Sequence, residues 1–397
     1  MKILYYKLRA FAVKWIIRVL PRNIPLVFSG TDSSLTLCRQ LATLGYGKAL
    51  IVTDRFFDES GLLDGIKSTL SESGVSFTVF DGVEPDPDFE QVQAGEAVLR
   101  KEKCDAVIAI GGGSVMDAAK LIALLHRNPG DLAFFDGIQK AKHPGLPLFV
   151  IPTTAGTGSE TSPASVITDS KTHRKVAVAD GKLVPHYVAL DAGMMKSMPP
   201  RITASSGMDA LTHAVESCLS KASTDSTEAM ARAAVRLTFQ YLARAWRDGN
   251  DMQAREAMAM ASFYAGVAFG RTSVGYAHGI AHQLGRVCST PHGEANAMVL
   301  PEVLTAYGDC VHERLAVLAR AAGLGEAGDT ADKLAGKLID GIAALRRELE
   351  MPLVPEGLEE ADIPGIVKAA LAEAGDMYPV PRYLSAAELG SIVRGLM

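Results

Sequence analysis

Three of the chain's nine histidines, His278, His282 and His292, lie in one stretch, SVGYAHGIAHQLGRVCSTPHGEANA, residues 273–297. An imidazole can hold a divalent metal or move a proton near neutral pH. His278 and His282 are four residues apart, a spacing that places both rings on one face of a helix. Asp209 and His213, in SSGMDALTHAVES, repeat that spacing with a carboxylate and an imidazole. Such a pair can grip one cation or form an ordinary helix-surface ion pair. Four oxygen and nitrogen donors fill a tetrahedral site or leave one position open in a five-coordinate site. The five candidates exceed four, so one of them has another task. His126, His143, His173, His186 and His312 stand in polar surroundings or loops without a matching partner and read as surface residues.

Two glycine-rich loops offer a second kind of chemistry. AVIAIGGGSVMDAAK reads as a strand, three glycines, a serine and a helix start. Gly111, Gly112, Gly113 and Ser114 therefore suit a pyrophosphate held at a helix N-terminus, or simply a tight strand–helix turn. Asp117 stands where the usual dinucleotide fingerprint has its third glycine. IPTTAGTGSETS, residues 151–162, is a second loop of glycines and hydroxyls after a strand. Both loops would lie at the carboxyl ends of strands, where open α/β sheets bind ligands. Asp54 closes the apolar run ALIVTD. There it can accept from ribose hydroxyls and disfavour a 2′-phosphate, selecting NAD over NADP, or it can cap a helix.

The elements that would carry these groups fall into two kinds. Apolar runs at 48–54, 75–82, 105–113, 146–154 and 186–191 read as strands. Helical stretches near 58–73 and 88–102 separate them, which indicates a parallel α/β sheet. After MPP at 198–200 the spacing becomes helical throughout, so the boundary falls near 195. The division is residues 26–195 for a dinucleotide-binding α/β domain and 196–397 for an all-helical, metal-binding domain. Residues 1–25 form a separate basic segment. Residues 1–22 carry six basic and no acidic side chains. They read as an amphipathic helix docked on its own protein, with contact to a membrane surface or a partner as the alternative. The charges interrupt the apolar run too often for a signal peptide or a spanning helix.

Length and composition agree with two soluble domains. The chain has 397 residues, 48% of them hydrophobic, and a formal charge of −5. That charge and the lack of a recognisable module argue against nucleic acid. Five widely spaced cysteines form no CxxC pair, which points to a reduced, cytoplasmic protein rather than a disulfide framework.

Taken together, GGGSVMDAAK, PTTAGTGSE, GMDALTHAVES, AHGIAHQLG and PHGEANAMVLP resemble the iron-containing (group III) alcohol dehydrogenase family, in the family's order. FDGVEPDP and VALDAGMMKSMPP are similar to family segments too, and the resemblance spans about residues 26 to 397. It implies a dehydroquinate synthase-like architecture, with the active site in the cleft between the two domains. The family's metal ligands carry over as Asp209, His213, His278 and His292. His282 becomes the histidine near substrate that does not ligate the metal. The cofactor positions carry over as Asp54, Gly112, Gly113, Ser114, Asp117, Thr153, Thr154 and Lys175. Asp86 stands where the family often has Asn; it can accept from a ribose hydroxyl but cannot donate. The basic helix is not explained by the family.

The implied activity is hydride transfer between NAD and a short primary alcohol or aldehyde, or a diol, with Fe(II) as Lewis acid and Zn(II) as the alternative metal. His282 would relay the proton to solvent. Apolar residues such as Phe263, Phe269 and Tyr276 would line the substrate pocket. The resemblance also suggests a homo-oligomer, a dimer or larger. Competing readings are a glycerol-dehydrogenase-like enzyme and a hydroxyacid–oxoacid transhydrogenase, which would turn over on tightly held cofactor. A dehydroquinate-synthase-like lyase would need a Lys/Arg cluster beside the ligands, and the helical half shows none. A non-catalytic metal- or nucleotide-binding module is the remaining alternative.

Overall fold

The runs KALIV, AVIAIG and LFVIP are apolar along their whole length because both faces of the sheet they form are covered. In the computed structural model, which describes residues 23–172 and 174–397, they are its inner strands. The basic segment of residues 1–22 and His173 lie outside the described residues. The described chain divides into two compact units, separated in sequence between Met198 and Pro199.

The first unit contains, in order, β1 (Leu26–Ser29), α1 (Ser33–Thr43), β2 (Lys48–Val52), α2 (Arg55–Glu59), α3 (Asp64–Glu72), β3 (Ser76–Phe80), α4 (Phe89–Lys101), β4 (Ala106–Gly111) and α5 (Gly113–Leu125). It continues through β5 (Gly137–Ile138), β6 (Leu148–Pro152), β7 (Ala164–Asp169), β8 (Arg174–Ala179) and β9 (Tyr187–Leu190). Six strands form one sheet in the order β1-β9-β6-β4-β2-β3, and every pairing is parallel. Ile51, Ile108, Ile110, Phe149 and Ile151 point to one side and pack against Leu37, Leu41, Ile66 and Leu70 of the covering helices. The carboxyl ends of β2, β4 and β6 therefore share one edge, and the segments after them carry Asp54, Gly112–Ser114 and Thr153–Thr154.

Three features depart from the sequence expectations. The helix expected near 58–73 is broken into α2 and α3, because Gly61 takes a left-handed φ of 77° that starts a turn. Strand β1 joins the sheet edge beside β9. A small second sheet, β5-β8-β7, stands apart from the six-stranded one, with β7 and β8 antiparallel. Asp191, just after β9, reaches across to α1. Its Oδ2 accepts from Ser34 Oγ at 2.6 Å and Ser34 N at 3.3 Å, satisfying one amide proton that the helix itself leaves unpaired.

The second unit is helical: α6 (Pro200–Leu219), α7 (Asp225–Arg247), α8 (Met252–Thr272), α9 (Tyr276–Cys288), α10 (His292–Tyr307), α11 (His312–Ala321), α12 (Ala331–Glu348), α13 (Ile363–Met377) and α14 (Ala386–Arg394). Helix α6 starts with Pro200 at its first position, where a missing N–H costs nothing. Its last thirteen residues, Gly207 to Leu219, are all buried, so it is the axis of the unit. Helices α7, α8 and α10 pack on it, and α9 packs between α10 and α13. No helix among the described residues is long and apolar enough to cross a membrane.

Candidate functional site

Asp209 sits in the middle of α6, 3% exposed. A carboxylate there must find charge partners, because water cannot reach it. Its Oδ1 lies 3.6 Å from His278 Nε2 of α9 and 3.4 Å from His292 Nε2 at the first position of α10. These three donor atoms all lie within 4.8 Å of one another. His213, one turn along α6, stands beside them. Its Nδ1 is 4.0 Å from Asp209 Oδ2, and its ring stacks on His278 at 4.5 Å and on Phe269 at 4.1 Å.

The electrostatics follow from this crowding. Burial works against ionisation of Asp209, yet the neighbouring imidazoles of His213, His292 and His278 hold its carboxyl well below the usual range. Burial alone would lower His278, but Asp209 and Glu216 outweigh it and raise the imidazole to about 9. Burial dominates at His292 and lowers it to about 3, against the pull of Asp209. In the metal-free protein, therefore, His278 carries the proton that balances Asp209.

Glu216 is a candidate site residue that the sequence reading did not single out. It lies 5% exposed on α6 and accepts at 2.6 Å from His278 Nδ1, and at 2.8 Å each from the N–H groups of Gly275 and Ala277. Two backbone N–H donors require acceptor oxygens, so His278 Nδ1 must be the donor to it. That fixes the tautomer and aims Nε2 at Asp209. The signal was present: Glu216 is three residues beyond His213 and seven beyond Asp209, on the same helix face. Asn296 completes the surroundings, donating from Nδ2 to Asp209 Oδ1 at 2.8 Å.

The donor set fits a divalent cation. His278 Nε2 is buried and makes no hydrogen bond, while its other nitrogen is committed to a carboxylate. One anionic oxygen and neutral imidazoles are ligands for a borderline metal such as iron or zinc. Gly293 lets α10 approach: a Cβ there would lie 2.1 Å from Ser205 O of α6, so a side chain would push His292 away from Asp209.

His282 is oriented differently from His278. Its Nδ1 lies 2.6 Å from Glu373 Oε1 of α13, and its ring stacks on His292 at 5.3 Å. Glu373 also accepts from Tyr378 Oη and from Gln283 Nε2. Burial would raise the Glu373 carboxyl, but the bond from His282 wins and lowers it. With the Glu373 carboxylate as its partner, His282 donates from Nδ1, and a neutral ring in this position has Nε2 as its acceptor. Of the proposed pocket residues, Tyr276 is 1% exposed, and its hydroxyl accepts from Leu384 N at 3.3 Å. It is buried, as is Phe263, while Phe269 stacks on His213, one of the predicted ligands. His126, expected at the surface, is half-buried beside Glu96.

In the first unit the predicted cofactor residues gather along the sheet edge. Helix α5 starts at Gly113 with no side-chain cap, leaving its first N–H groups for an anion. Gly112 and Gly113 lie close to Thr154 and Thr157, at which a Cβ would sit 3.3 Å and 2.9 Å from the methyls. Thr153 is buried and donates its N–H to Gly111 O at 3.0 Å, while Thr154 Oγ1 is buried and unbonded. Asp86, at a left-handed φ of 64°, pairs with Lys175 of β8, and its N–H reaches Ser114 Oγ at 3.4 Å. Asp54 caps α2, its Oδ1 accepting from Phe57 N at 3.1 Å. That leaves Oδ2 for a ribose, so the two roles foreseen for it are compatible. Asp117 differs: both carboxylate oxygens accept from the protein, Ser159 Oγ at 2.6 Å and Val166 N at 2.9 Å.

Residues 25–192 match the family model described as iron-containing alcohol dehydrogenase, and residues 203–397 match the C-terminal model of the Fe-containing alcohol dehydrogenase family. The chain is 35% identical over 360 residues to the NAD-dependent methanol dehydrogenase of Bacillus methanolicus, covering 90% of this chain and 94% of that one. It is 35% identical over 333 residues to lactaldehyde reductase of Escherichia coli (strain K12), covering 82% and 86%. The crystal structure of a 1,3-propanediol oxidoreductase superposes with a TM-score of 0.91 at 35% identity, covering 96% of this chain and all of that one.

Proposed function

Because the chain belongs to the iron-containing alcohol dehydrogenase family, whose members here are metal-dependent alcohol and aldehyde oxidoreductases, we propose that it interconverts short primary alcohols or diols and their aldehydes with NAD. The convergence of Asp209, His278 and His292 donor atoms within 4.8 Å carries this reading. Asp209, His213, His278 and His292 hold the metal, which we assign as Fe(II) on the family's description, with Zn(II) the competitor that affinity alone would favour. When bound, the metal would supply Lewis acidity toward an alcohol oxygen and NAD would supply the hydride acceptor.

The chain's own residues do the rest. Glu216 holds His278 in the ligating tautomer. Gly112, Gly113 and Ser114 receive the pyrophosphate at the start of α5, and Thr153 and Thr154 line the same loop edge. Asp54 accepts from the adenosine ribose and opposes a 2′-phosphate. Lys175 and Asp86 form a paired lip whose partners exchange for cofactor groups. His282 takes the substrate hydroxyl proton at Nε2 and returns it to solvent, its side chain being 40% exposed. A homo-oligomeric, cytoplasmic enzyme acting on small molecules completes the proposal. All five cysteines are unpaired, as a reducing compartment requires.

The test is turnover of a series of primary alcohols, diols and aldehydes with NAD and NADP, after reconstitution with Fe(II) and separately with Zn(II). NAD-linked turnover is expected. Strong NADP preference would remove the role of Asp54, and turnover without free NAD would favour the transhydrogenase reading. For His282, alanine substitution should lower kcat on the order of 10²-fold with metal content intact. A His282→Ala enzyme with an unchanged pH–rate profile would show that the proton leaves by another route.

A further inference from the structure

We infer that Lys120 is a positioning residue for the cofactor, fixing the gap between the glycine loop and the threonine loop from beneath. The inference rests on the reading of those loops as the nucleotide cradle. Lys120 lies on α5 and is 1% exposed. A buried ammonium is costly unless each proton is bonded. Here all three are: Ser159 Oγ at 2.8 Å, Ser162 Oγ at 3.1 Å and Ala164 O at 2.6 Å. Asp117 Oδ1 stands 3.7 Å away. Ser159 Oγ links the two, accepting from Lys120 and donating to Asp117. Ser165 Oγ adds a bond to Asp117 O at 2.9 Å.

Position along the helix gives the pair its effect. Gly113, Asp117 and Lys120 are spaced i, i+4, i+7, so they share one face of α5. At Gly113 that face meets Thr157, at Asp117 it meets Ser159 and Val166, and at Lys120 it meets Ser162 and Ala164. Residues 157–164 thus run down the helix face and are bolted to it one and two turns below the uncapped N-terminus. The bolt fixes how closely the threonine loop approaches Gly112 and Gly113. A pyrophosphate bound there needs both walls at one spacing. Because Asp117 neutralises Lys120 locally, the effect is geometric rather than a charge acting on the phosphates. This places Asp117 with Lys120 in the bolt instead of on the cofactor.

The experiment measures NAD affinity by calorimetry on zinc-loaded protein, alongside KM for NAD, kcat and Tm. Lys120→Met should raise both Kd and KM for NAD by on the order of tenfold, with kcat within about twofold, since the nicotinamide end is untouched. The increase should be the same at low and high salt. Ser159→Ala and Ser162→Ala each remove one acceptor while leaving the ammonium in place. They should raise Kd by about threefold, and they carry the test if Lys120→Met fails to fold. Leu70→Ala, in the core of the same unit, is the control for destabilisation and should lower Tm without moving Kd. Unchanged NAD affinity in the folded Lys120 and serine variants, with only Tm lowered, overturns the inference. So does a salt-dependent increase in Kd. If the unsubstituted protein binds no NAD, it is the cofactor reading that falls, a result distinct from either.

Discussion

An Asp209→Ala chain is expected to fold, to retain no stoichiometric divalent metal, and to lose kcat by on the order of 10³-fold or more, since a Lewis acid at the alcohol oxygen is worth several kcal/mol. Asp209 is the one carboxylate on which His213, His278 and His292 converge, at 4.0, 3.6 and 3.4 Å. Without it the remaining donors are neutral rings, and a dication entering the site would meet no anionic ligand to offset its desolvation. Folding should survive. His278 can release its proton once the anion is gone, and the flanking positions Met208, Ala210 and Leu211 keep α6 in the core. Metal analysis after dialysis, with melting curves taken with and without added zinc, checks this. The unsubstituted protein should gain Tm with metal, because only the folded state binds it tightly. The variant should gain none. Stoichiometric metal in Asp209→Ala would show that the centre lies elsewhere.

How much of this was legible in the sequence depended on how locally each feature is encoded. Strands β2, β4 and β6 could be read because burial on both faces leaves unbroken apolar runs. Strand β1 is only four residues long, and Leu26 is 55% exposed, so it carries no such run. The antiparallel pair β7–β8 escaped for a related reason: ASVITD and RKVAVA mix polar and apolar residues because one face is open. The candidate site residues stood out because Asp209/His213 and His278/His282 are helix-periodic pairs. Their supports were less visible. Glu216 bonds His278 across 62 residues, and Glu373 bonds His282 across 91. Helical spacing from Asp209 pointed to the first. Nothing around Glu373, in LAEAGDMY, distinguishes it from a solvent-facing helix glutamate. Tyr276 shows the converse error. An aromatic residue beside the candidate ligands looks like pocket lining, but it is 1% exposed and its hydroxyl accepts from the Leu384 amide.

Replacing Glu216 with glutamine should lower metal affinity by about 10–100-fold at pH 9, the usual cost of losing the carboxylate behind a ligating histidine. Glutamine keeps the size but offers one acceptor oxygen where Gly275 N, Ala277 N and His278 Nδ1 now share two. Its amide protons would face N–H donors, and the ring would lose its fixed tautomer. The pH dependence separates this from a simple packing defect. In the metal-free protein His278 is raised to about 9 from an ordinary 6.5, and metal must displace that proton. Affinity of the unsubstituted protein should therefore fall about tenfold per pH unit below 9. With Glu216 gone, part of what raises His278 is gone, so the fall should begin at lower pH. The affinity gap between the two proteins then narrows as pH drops towards 6.5. Stability of the metal-free forms should move the other way. A histidine raised by folding contributes stability that is complete below 6.5 and is lost as pH rises through about 9. The glutamine variant should accordingly be most destabilised near pH 6 and approach the unsubstituted protein above pH 9. Zinc titrations and melting curves across pH 6–9.5 report both trends. An affinity deficit of constant size at every pH would mean that Glu216 shapes the site without setting the proton on His278.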